Sequence, residues 1–351
     1  MPPDAIPAVP GLFLAGIPDR GYDGILCRSD GRRVYTTFLG TAAFSNDMPE
    51  DIRTWEWLYL PVTDTPEVRV PRRPLVNHIG DADYCDFAIR QAIEIVRRSG
   101  LPCFNDPAAI ERLRRHRLPG LLAGIAGLTV PRCIRVRPGT LEDLAQAVRQ
   151  EGLRYPVIAR LTATHGGKSQ VLVERPADWA RLNGLPWGGR DLFVTQFHEY
   201  RDADGFHRKQ RVAVVGDRVF PRHGAAARQW SVDAVVTLPE ALEEEIAWSL
   251  EFEDKVLPAI ADRVRQIADR VGLDYFGIDY SLRPDGSMLI FEVSAAMSMT
   301  EPYVPATHAS IQPIAGNIRR ALADLLRAPG AWRGCRAPAR SAGPAAGADA
   351  A

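Results

Sequence analysis

Two short, largely apolar runs with few polar positions predict two neighbouring β-strands in the last third of the chain, over residues 275–282 and 287–294. The segment between them ends in Asp285-Gly286, a pair that is typical of a two-residue hairpin turn. Counting outward from that turn pairs Leu282 with Leu289. The pattern therefore predicts an antiparallel hairpin with a fixed register.

The same register places two acidic side chains opposite each other, Asp279 and Glu292, and puts Ser294 on the face of Glu292. Directly opposed residues lie about 4.5–5.5 Å apart at Cβ, where like charges repel. Two carboxylates held that close require a shared proton or a cation. A hard divalent ion such as Mg²⁺ takes carboxylate oxygens and leaves positions for phosphate. The pattern favours a metal site, with two solvated carboxylates on an exposed face as the alternative.

A glycine-rich segment, 162–169, lies between two further predicted strands at 155–161 and 170–174. Its glycines allow backbone N–H groups to approach an anion, and its last residues add donors. The anion-binding candidates are Gly166, Gly167, Lys168 and Ser169. The segment lacks the first glycine of a Walker A loop and precedes a strand, so a phosphate-covering flap fits better. An ordinary hairpin loop is the alternative.

Two cations share one face of a later predicted strand. Residues 208–215 and 218–220 form a second hairpin pattern, and Lys209 and Arg211 lie two positions apart in its first strand. Two cations followed by two carboxylates are the layout that a polyphosphate–metal site requires. A solvated face of an edge strand is the alternative.

Taken in order, these motifs resemble the ATP-grasp superfamily, closest to the branch that contains the ribosomal-protein glutamate ligase and the glutathione synthetases. The strings that carry the resemblance most clearly are Arg208-Lys-Gln-Arg-Val212 and Phe291-Glu-Val-Ser-Ala-Ala-Met297. The similarity covers residues 75–325. It implies an α/β (α+β) fold in which two α+β lobes grip ATP, preceded by a small α/β domain.

The resemblance assigns phosphate and adenine contacts. Arg160 occupies the place of a lysine that reaches the α/β-phosphates, and Arg115 falls near an earlier phosphate-contacting lysine. Arginine keeps the charge and adds bidentate recognition. The residues matching the phosphate-covering loop are His165, Gly166, Gly167, Lys168 and Ser169. Those matching the adenine hinge are Gln196, Phe197, His198 and Glu199, with Glu199 as the ribose contact.

The resemblance also assigns the chemistry. Lys209 and Arg211 match residues near the γ-phosphate and the acyl substrate, and Asp279 and Glu292 match two metal ligands. Ser294 stands where the family commonly has asparagine. A hydroxyl is a shorter and weaker ligand than an amide carbonyl, so one of the two usual Mg²⁺ ions is expected to bind poorly.

Three residues near the cation hairpin are further candidates. His223 follows it directly, where it could line the acceptor pocket or assist proton transfer. A structural hydrogen bond is the alternative for this histidine. Arg222 and Trp230 are candidates of the same kind.

Turn residues and caps divide the chain into four segments. A helix pattern over 81–99 ends at Gly100, Asp106-Pro107 starts a helix, and 140–143 resembles a capping box. The four arginines 112, 114, 115 and 117 could form a solvated basic face. The predicted segments are 1–104, an N-terminal α/β domain; 105–190, the smaller lobe; 191–327, the larger lobe; and 328–351, a disordered tail rich in Ala, Gly, Pro and Arg.

Composition changes this picture little. The chain is 46% hydrophobic and 25% charged with a formal net charge of zero, which argues against a nucleic-acid partner. It has no apolar stretch long enough to span a membrane and no signal-peptide pattern at its start. Five scattered cysteines suit reduced thiols, so a cytoplasmic protein is expected.

The function implied by the resemblance is an ATP-dependent carboxylate–amine ligase that forms a peptide-type amide bond through an acyl phosphate. It would use ATP with Mg²⁺, or with Mn²⁺ as an alternative, on small-molecule or peptide substrates, and homo-oligomerisation is left open. One alternative is a nucleotide-binding scaffold or sensor without turnover, because Ser294, Arg115 and Arg160 depart from the family pattern. An ATP-dependent kinase is another.

Overall fold

A computed structural model describes residues 10–19, 25–29, 34–38, 42–44, 48–61, 70–165, 167, 169–232, 239–301 and 310–335 of the 351-residue chain. Strands and helices are mixed throughout, which confirms the predicted α/β class. Within these ranges, no helix is long and apolar enough to cross a membrane. Gly166 and Lys168, two of the predicted loop residues, lie outside the described residues.

The N-terminal segment is built on a parallel four-stranded sheet with the strand order β4-β1-β5-β6, and β2 and β3 form a separate antiparallel pair. Its elements are β1 (Leu12–Gly16), β2 (Ile25–Ser29), β3 (Val34–Phe38), α1 (Glu50–Arg53), β4 (Glu56–Leu60), β5 (Leu75–Asn77), α2 (Asp86–Ser99) and β6 (Cys103–Phe104).

Helix α2 begins five residues later than predicted, at Asp86 instead of Asp81. The Asp81 carboxylate accepts hydrogen bonds from the backbone N–H groups of Asp83, at 2.6 Å, and Tyr84, at 3.3 Å, so it holds a turn. The helix ends as predicted, because Gly100 lies in the left-handed region with φ 62°. The consequence is that residues 80–83 are a loop and can line a cleft.

The middle segment contains an antiparallel sheet with the strand order β10-β9-β11-β8, packed on its own apolar core. Its predicted caps are confirmed at Asp106 and at the Thr140/Asp143 capping box. The elements are α3 (Pro107–Arg112), α4 (Leu118–Leu121), β7 (Leu128–Thr129), β8 (Cys133–Val136), α5 (Leu141–Gln150), β9 (Val157–Leu161), β10 (Val171–Val173), a 3-10 segment (Pro176–Gly184) and β11 (Leu192–Gln196).

The C-terminal segment contains the five-stranded sheet β13-β12-β14-β15-β7. The helix predicted over 253–271 begins as a π-helical segment (Phe252–Val256) and ends at Val271 as predicted. The elements are β12 (His207–Val215), β13 (Arg218–Ala227), α6 (Pro239–Leu250), α7 (Leu257–Val271), β14 (Tyr275–Leu282), β15 (Met288–Ser294), α8 (Gln312–Leu326) and two 3-10 turns (Pro329–Ala331 and Arg333–Cys335).

Strand pairing groups the segments differently from the predicted boundaries. Strand β7 pairs in parallel with β15, so it belongs to the C-terminal sheet, whereas β11 belongs to the middle sheet. One apolar core is shared by the N-terminal segment and the C-terminal sheet. The tail predicted from residue 328 is wrong up to 335, because Trp332 is fully buried against Phe104.

Candidate functional site

The β14–β15 hairpin closes through a three-residue loop instead of the predicted two-residue turn. Gly286 donates its N–H to the carbonyl of Arg283 at 2.9 Å and has φ 77°, a conformation that favours glycine. The loop pairs Leu282 with Met288 instead of Leu289, which is one position from the predicted register.

A β-bulge then restores the pairing that matters for chemistry. The register shifts between Asp279 and Tyr280, which leaves Phe291 as the extra residue on β15. Beyond the shift Asp279 lies opposite Glu292, so this predicted pairing is confirmed although the turn was wrong. Bulges are frequent beside functional sites, where they re-aim a side chain.

The row of opposed side chains continues across two more strands. Asp279 pairs with Arg211 on β12, and Arg211 pairs with His223 on β13. We call His223, Arg211, Asp279 and Glu292 the charged row. A second register shift, between Arg211 and Val212, leaves Arg222 as an extra residue on β13.

Arg211 and Asp279 form the tightest contact in the charged row. Nε and Nη2 of Arg211 donate to the two carboxylate oxygens of Asp279 at 2.5 and 2.8 Å. Nζ of Lys209 lies 3.5 Å from Oδ2 of the same carboxylate. Burial acts to raise the pKa of Asp279, but the charges of Arg211 and Lys209 outweigh it and hold the pKa well below its usual value. The predicted shared face of the two cations is confirmed, and Asp279 is ionised.

Glu292 has a cationic partner from another segment. Nη2 of Arg115 lies 3.1 Å from its carboxylate, and Nη1 of Arg115 donates to the Phe291 carbonyl at 2.8 Å. Burial opposes ionisation of Glu292, yet the charges of Arg115 and His165 lower its pKa. Both predicted metal ligands are therefore ionised and already paired with arginine.

Glu292 lines a cleft of about 50 Å³ that is open to solvent and lies between the N-terminal loop 80–83, the middle sheet and β15. Five of the predicted site residues meet here: Arg115, Arg160, His165, Glu292 and Ser294. Their assembly from the middle and C-terminal segments confirms that the motifs are neighbours in space. Their binding roles stay predictions.

Arg160 feels the charges of Glu292 and Asp81 but has no carboxylate at ion-pair distance among the described residues. Its side chain is 7% exposed, it donates to the backbone carbonyl of Thr164, and no carboxylate lies within 4.0 Å among the described residues. Its buried Nε has no hydrogen-bond partner there either. Burial, together with the charge of Arg115, lowers the pKa of Arg160 to about 10. A buried guanidinium in this position would be stabilised by an anion.

His165 adds a further basic side chain to the same cleft. Its Nε2 lies 3.1 Å from the Asp81 carboxylate, and its ring stacks on Tyr84 with centroids 5.1 Å apart. Burial acts to lower the pKa of His165, but the Asp81 carboxylate raises it above the usual value. The start of the glycine-rich segment is thus tied to the N-terminal loop.

The remaining described residues of the segment are also ordered by local contacts. Gly167 has φ 71°, a left-handed conformation that other residues rarely adopt. The hydroxyl of Ser169 lies 2.9 Å from that of Thr164, and Ser169 is buried. These contacts shape the loop but do not test its predicted contact with phosphate.

Sequence reasoning missed the acidic loop at 81–83, because these residues were assigned to a helix. Asp83 is buried and lies 2.7 Å from Nη1 of Arg114 and 3.0 Å from Nη1 of Arg135. Arg114 is therefore not part of a solvated basic face, whereas Arg112 and Arg117 are exposed. A Gly-Asp pair before a helix is a turn signal that could have identified the loop.

The predicted adenine hinge begins at the end of β11. The side-chain amide of Gln196 donates to the carbonyl of Arg154 at 2.7 Å and accepts from its N–H at 2.8 Å. Phe197 packs edge-to-face on Trp230 with centroids 6.1 Å apart. The side chains of Gln196 and Phe197 are therefore used in contacts within the protein. An adenine bound here would be contacted by backbone groups instead.

Glu199 and His198 complete this segment. The Glu199 carboxylate accepts from the backbone N–H groups of Tyr200 and Arg201, both at 3.0 Å, and lies 2.9 Å from Nε2 of His207. Burial lowers the pKa of His198. None of the four hinge residues lines the described cleft, and their adenine and ribose roles stay predictions.

His223 ends the charged row as a buried, neutral side chain. Burial, reinforced by the charge of Arg211, holds the pKa of His223 well below its usual value. Its Nε2 has no hydrogen-bond partner among the described residues. The histidine is therefore available to a ligand, which was one of the two predicted interpretations.

The donor chemistry at Asp279, Glu292 and Ser294 suits a hard divalent cation. The first two are ionised and face each other in register, although no group of three His, Cys, Asp or Glu side chains is suitably placed among the described residues. The hydroxyl of Ser294 accepts a hydrogen bond from the Ala296 N–H at 3.1 Å. A cation here would share its carboxylates with Arg211 and Arg115, and phosphate oxygens would complete its ligands.

No protein-family model matches the chain, and no curated protein matches it. Three solved structures illustrate what it is similar to. The RimK domain protein ATP-grasp from Sphaerobacter thermophilus is 16% identical, with 90% of this chain and 99% of that chain covered and a TM-score of 0.47. The D-alanine-D-alanine ligase from Coxiella burnetii is 11% identical, with 74% and 71% covered and a TM-score of 0.44.

The third is carboxyaminoimidazole ribonucleotide synthase from Aspergillus clavatus, which is 15% identical with a TM-score of 0.41. The match covers 63% of this chain, which spans about half of that protein, 53% of its length. The solved structures to which the chain is similar include proteins named as ATP-grasp, the superfamily that its motifs predict.

Proposed function

We propose that this chain is an ATP-dependent carboxylate–amine ligase. The observation that carries the proposal is Arg160, a buried guanidinium without a carboxylate partner among the described residues, in a cleft that Glu292 also lines. A triphosphate supplies the missing negative charge, and arginine recognises phosphate through two parallel hydrogen bonds. Arg115 and protonated His165 add positive charge on the same side.

The reaction has two steps. A substrate carboxylate oxygen attacks the γ-phosphorus of ATP, the bond from that phosphorus to the β–γ bridging oxygen breaks, and ADP leaves. An amine nitrogen then attacks the acyl carbon, the carbon–oxygen bond to phosphate breaks, and the nitrogen loses a proton. Phosphoryl transfer of this kind needs positioning and charge neutralisation more than a protein nucleophile.

Each group has a part in this scheme. Arg115 and Arg160 hold the α/β-phosphates, and Arg211 stabilises the charge that develops at the γ-phosphate. Asp279 and Glu292, with Ser294, would hold Mg²⁺ or Mn²⁺, which neutralises phosphate charge when bound. Since both oxygens of Asp279 accept from Arg211, phosphate binding would have to draw that guanidinium partly away from the carboxylate.

A nucleotide-binding scaffold or sensor is the second candidate. The observation that favours it is that both carboxylate oxygens of Asp279 already accept hydrogen bonds from Arg211. Ser294 also offers a hydroxyl where the family commonly has an amide. If the guanidinium does not release the carboxylate, nucleotide binds and turnover fails.

The test is a turnover assay on the full chain with ATP, Mg²⁺ and pooled carboxylates and amines. The ligase predicts ADP and phosphate release stimulated by the pools, and an amide product by mass spectrometry. Nucleotide binding without release supports the scaffold, and a stable phosphorylated product without free phosphate supports a kinase. Failure to bind ATP overturns all three.

A further inference from the structure

The glycine-rich segment contacts two other parts of the chain. At one position, Nε2 of His165 lies 3.1 Å from Oδ2 of Asp81, and the His165 ring stacks on Tyr84 with an angle of 4° between the two planes. At another, a Cβ added to Gly167 would lie 3.9 Å from the Oγ of Ser231. The segment therefore touches both the N-terminal loop and the C-terminal segment.

The N-terminal loop is a firm support for the first of these contacts. Oδ1 of Asp81 accepts hydrogen bonds from the backbone N–H groups two and three positions along the chain, and the other oxygen, Oδ2, lies next to His165. Tyr84 is fully buried, and Gly80 packs directly on the backbone of Ala296. The loop is therefore fixed to the protein by contacts that do not involve the glycine-rich segment.

Other contacts of the glycine-rich segment are local. The hydroxyls of Thr164 and Ser169 lie 2.9 Å apart, and Arg160, on the strand that precedes the segment, donates to the backbone carbonyl of Thr164. These bonds set the shape of the segment. Among the described residues, the ion pair of His165 with Asp81 is the charged contact that attaches it to the N-terminal loop.

The charges that face His165 come from three elements. Burial and the charge of Arg160 oppose its protonated form, but Asp81 and Glu292 favour it, and the pKa of His165 lies above its usual value. Although Nε2 is at ion-pair distance from Asp81, it makes no aligned hydrogen bond among the described residues. A protonated Nε2 can therefore donate to a further acceptor, and a phosphate oxygen is an acceptor of the right charge.

We propose that Asp81 is a positioning residue for nucleotide binding, which holds His165 and the start of the glycine-rich segment at the cleft in the orientation that binds phosphate. The assignment rests on the proposed ligase function, because Asp81 acts through a predicted phosphate contact and touches no substrate itself. A segment that is already held in its binding conformation raises the apparent affinity, since the apparent Kd is the intrinsic Kd divided by the competent fraction.

The alternative is that Asp81 only maintains the turn before α2. Asp81→Asn separates the two roles, because its amide oxygen still accepts from the backbone N–H groups, whereas the negative charge next to His165 is lost. Asp81→Ser also favours a turn without carrying a charge, and it is a second variant with the same expected result. Asp143→Asn is the matched control, since the Asp143 carboxylate accepts from two backbone N–H groups at 2.8 Å at the start of α5.

The experiment is a double-mutant cycle on the full chain, with the Kd of a non-hydrolysable ATP analogue and Mg²⁺ measured by calorimetry at the usual histidine pKa of 6.5. We expect Asp81→Asn to raise this Kd about tenfold in the wild-type background, but less than about twofold in the His165→Gln background, because Asp81 acts through His165. Asp143→Asn should leave the Kd unchanged. In steady-state ADP release, Asp81→Asn should raise the half-saturating ATP concentration about tenfold and lower turnover at saturating ATP less than about threefold.

An equal rise in Kd in both backgrounds overturns the assignment, because a role in the turn does not depend on His165. An unchanged Kd in Asp81→Asn and Asp81→Ser overturns it as well. In both cases a wild-type chain that binds the analogue and releases ADP with the substrate pools keeps the proposed function. A wild-type chain that does not bind the analogue overturns the proposed function and this assignment together.

Discussion

Arg115 lies 3.1 Å from the carboxylate of Glu292, although 176 positions separate it from Phe291, whose carbonyl it also binds. The pair joins the segment before the middle sheet to the strand that bears the predicted metal ligand. Its position explains how the Glu292 carboxylate can hold Arg115, a proposed phosphate contact, in place and still face Asp279 across the hairpin.

Removing the charge of Glu292 should abolish turnover. We expect Glu292→Gln to lower Mg²⁺-dependent ADP release at least a hundredfold while the protein remains folded, because a ligand oxygen charge and the partner of Arg115 are lost together. Steady-state ADP release and circular dichroism measure the two effects. Glu253→Gln, at an exposed position, is the control, and turnover of Glu292→Gln equal to that control would remove the metal assignment.

Arg160 should show opposite effects on stability and on binding. Its buried charge has no carboxylate at ion-pair distance in the part of the chain that the structure describes, so Arg160→Met should raise the free energy of unfolding of the nucleotide-free protein by about 1 kcal/mol. The same change should weaken ATP binding at least tenfold, and Arg160→Lys should weaken it less because the charge is kept.

Chemical denaturation and calorimetry with an ATP analogue measure these two quantities. Arg154→Met, at an exposed position, controls for the removal of an arginine. A structural role for Arg160 predicts that Arg160→Met destabilises the protein and leaves ATP binding unchanged. That combination would contradict the phosphate assignment.

The sequence predicted the pairing of Asp279 with Glu292 for a reason that was only partly right. The Asp-Gly signal predicted the correct hairpin but the wrong loop length, and the bulge at Phe291 offset that error at Asp279. A bulge depends on how two strands pack and twist, which alternation along one strand does not encode. The caps at Asp106 and Thr140 were predictable because each depends on local contacts alone.

Residues that enter the cleft from the N-terminal loop were not predictable in the same way. Asp81 continues the polar pattern of α2, and only the turn made by its carboxylate separates it from the helix. Its ion pair with His165 spans two segments that no local pattern connects. The same holds for Arg114, whose burial depends on three carboxylates from different positions.

Arg114 should be the arginine of its cluster that matters most for stability. It lies 2.7 Å from Asp83, 2.5 Å from Asp86 and 2.5 Å from Glu111, and its side chain is 5% exposed. Arg114→Ala removes the most buried partner of three carboxylates, which keep only Arg135, Arg90 and Arg117, and should lower the free energy of unfolding by about 3 kcal/mol. Arg112→Ala, at an exposed position, should cost less than about 0.5 kcal/mol. Urea denaturation measures the free energy of unfolding of both variants. Equal losses would instead support the interpretation of these arginines as a solvated basic face.

The pair of His165 and Asp81 should give the protein a defined pH dependence. The raised pKa of His165 means that its contribution is complete below the usual histidine pKa of 6.5 and is lost as the pH rises through the higher folded-state pKa. The lowered pKa of Asp81 means that the pair is also lost as the pH falls below the usual aspartate pKa of 3.8.

We therefore expect His165→Gln to destabilise the nucleotide-free protein by about 1 kcal/mol between pH 3.8 and 6.5, and by less at higher pH. Thermal denaturation across the pH range measures the difference. His116 is a contrasting control, because burial lowers its pKa and the cost of His116→Gln should grow as the pH rises. Parallel profiles for the two variants would contradict the ion pair.

Gly80 should be required for the approach of the N-terminal loop to the strand end that bears Ser294. A Cβ at Gly80 would lie 2.9 Å from the backbone N and Cα atoms of Ala296, where no flexible side chain can move aside. Gly80→Ala should therefore cost about 1–3 kcal/mol of unfolding free energy and lower ADP release, because Asp81 and Ser294 are displaced together. Gly120→Ala meets no atom within 4 Å and should be neutral or slightly stabilising. If both variants keep wild-type stability and turnover, the contact between the two loops does not position the cleft.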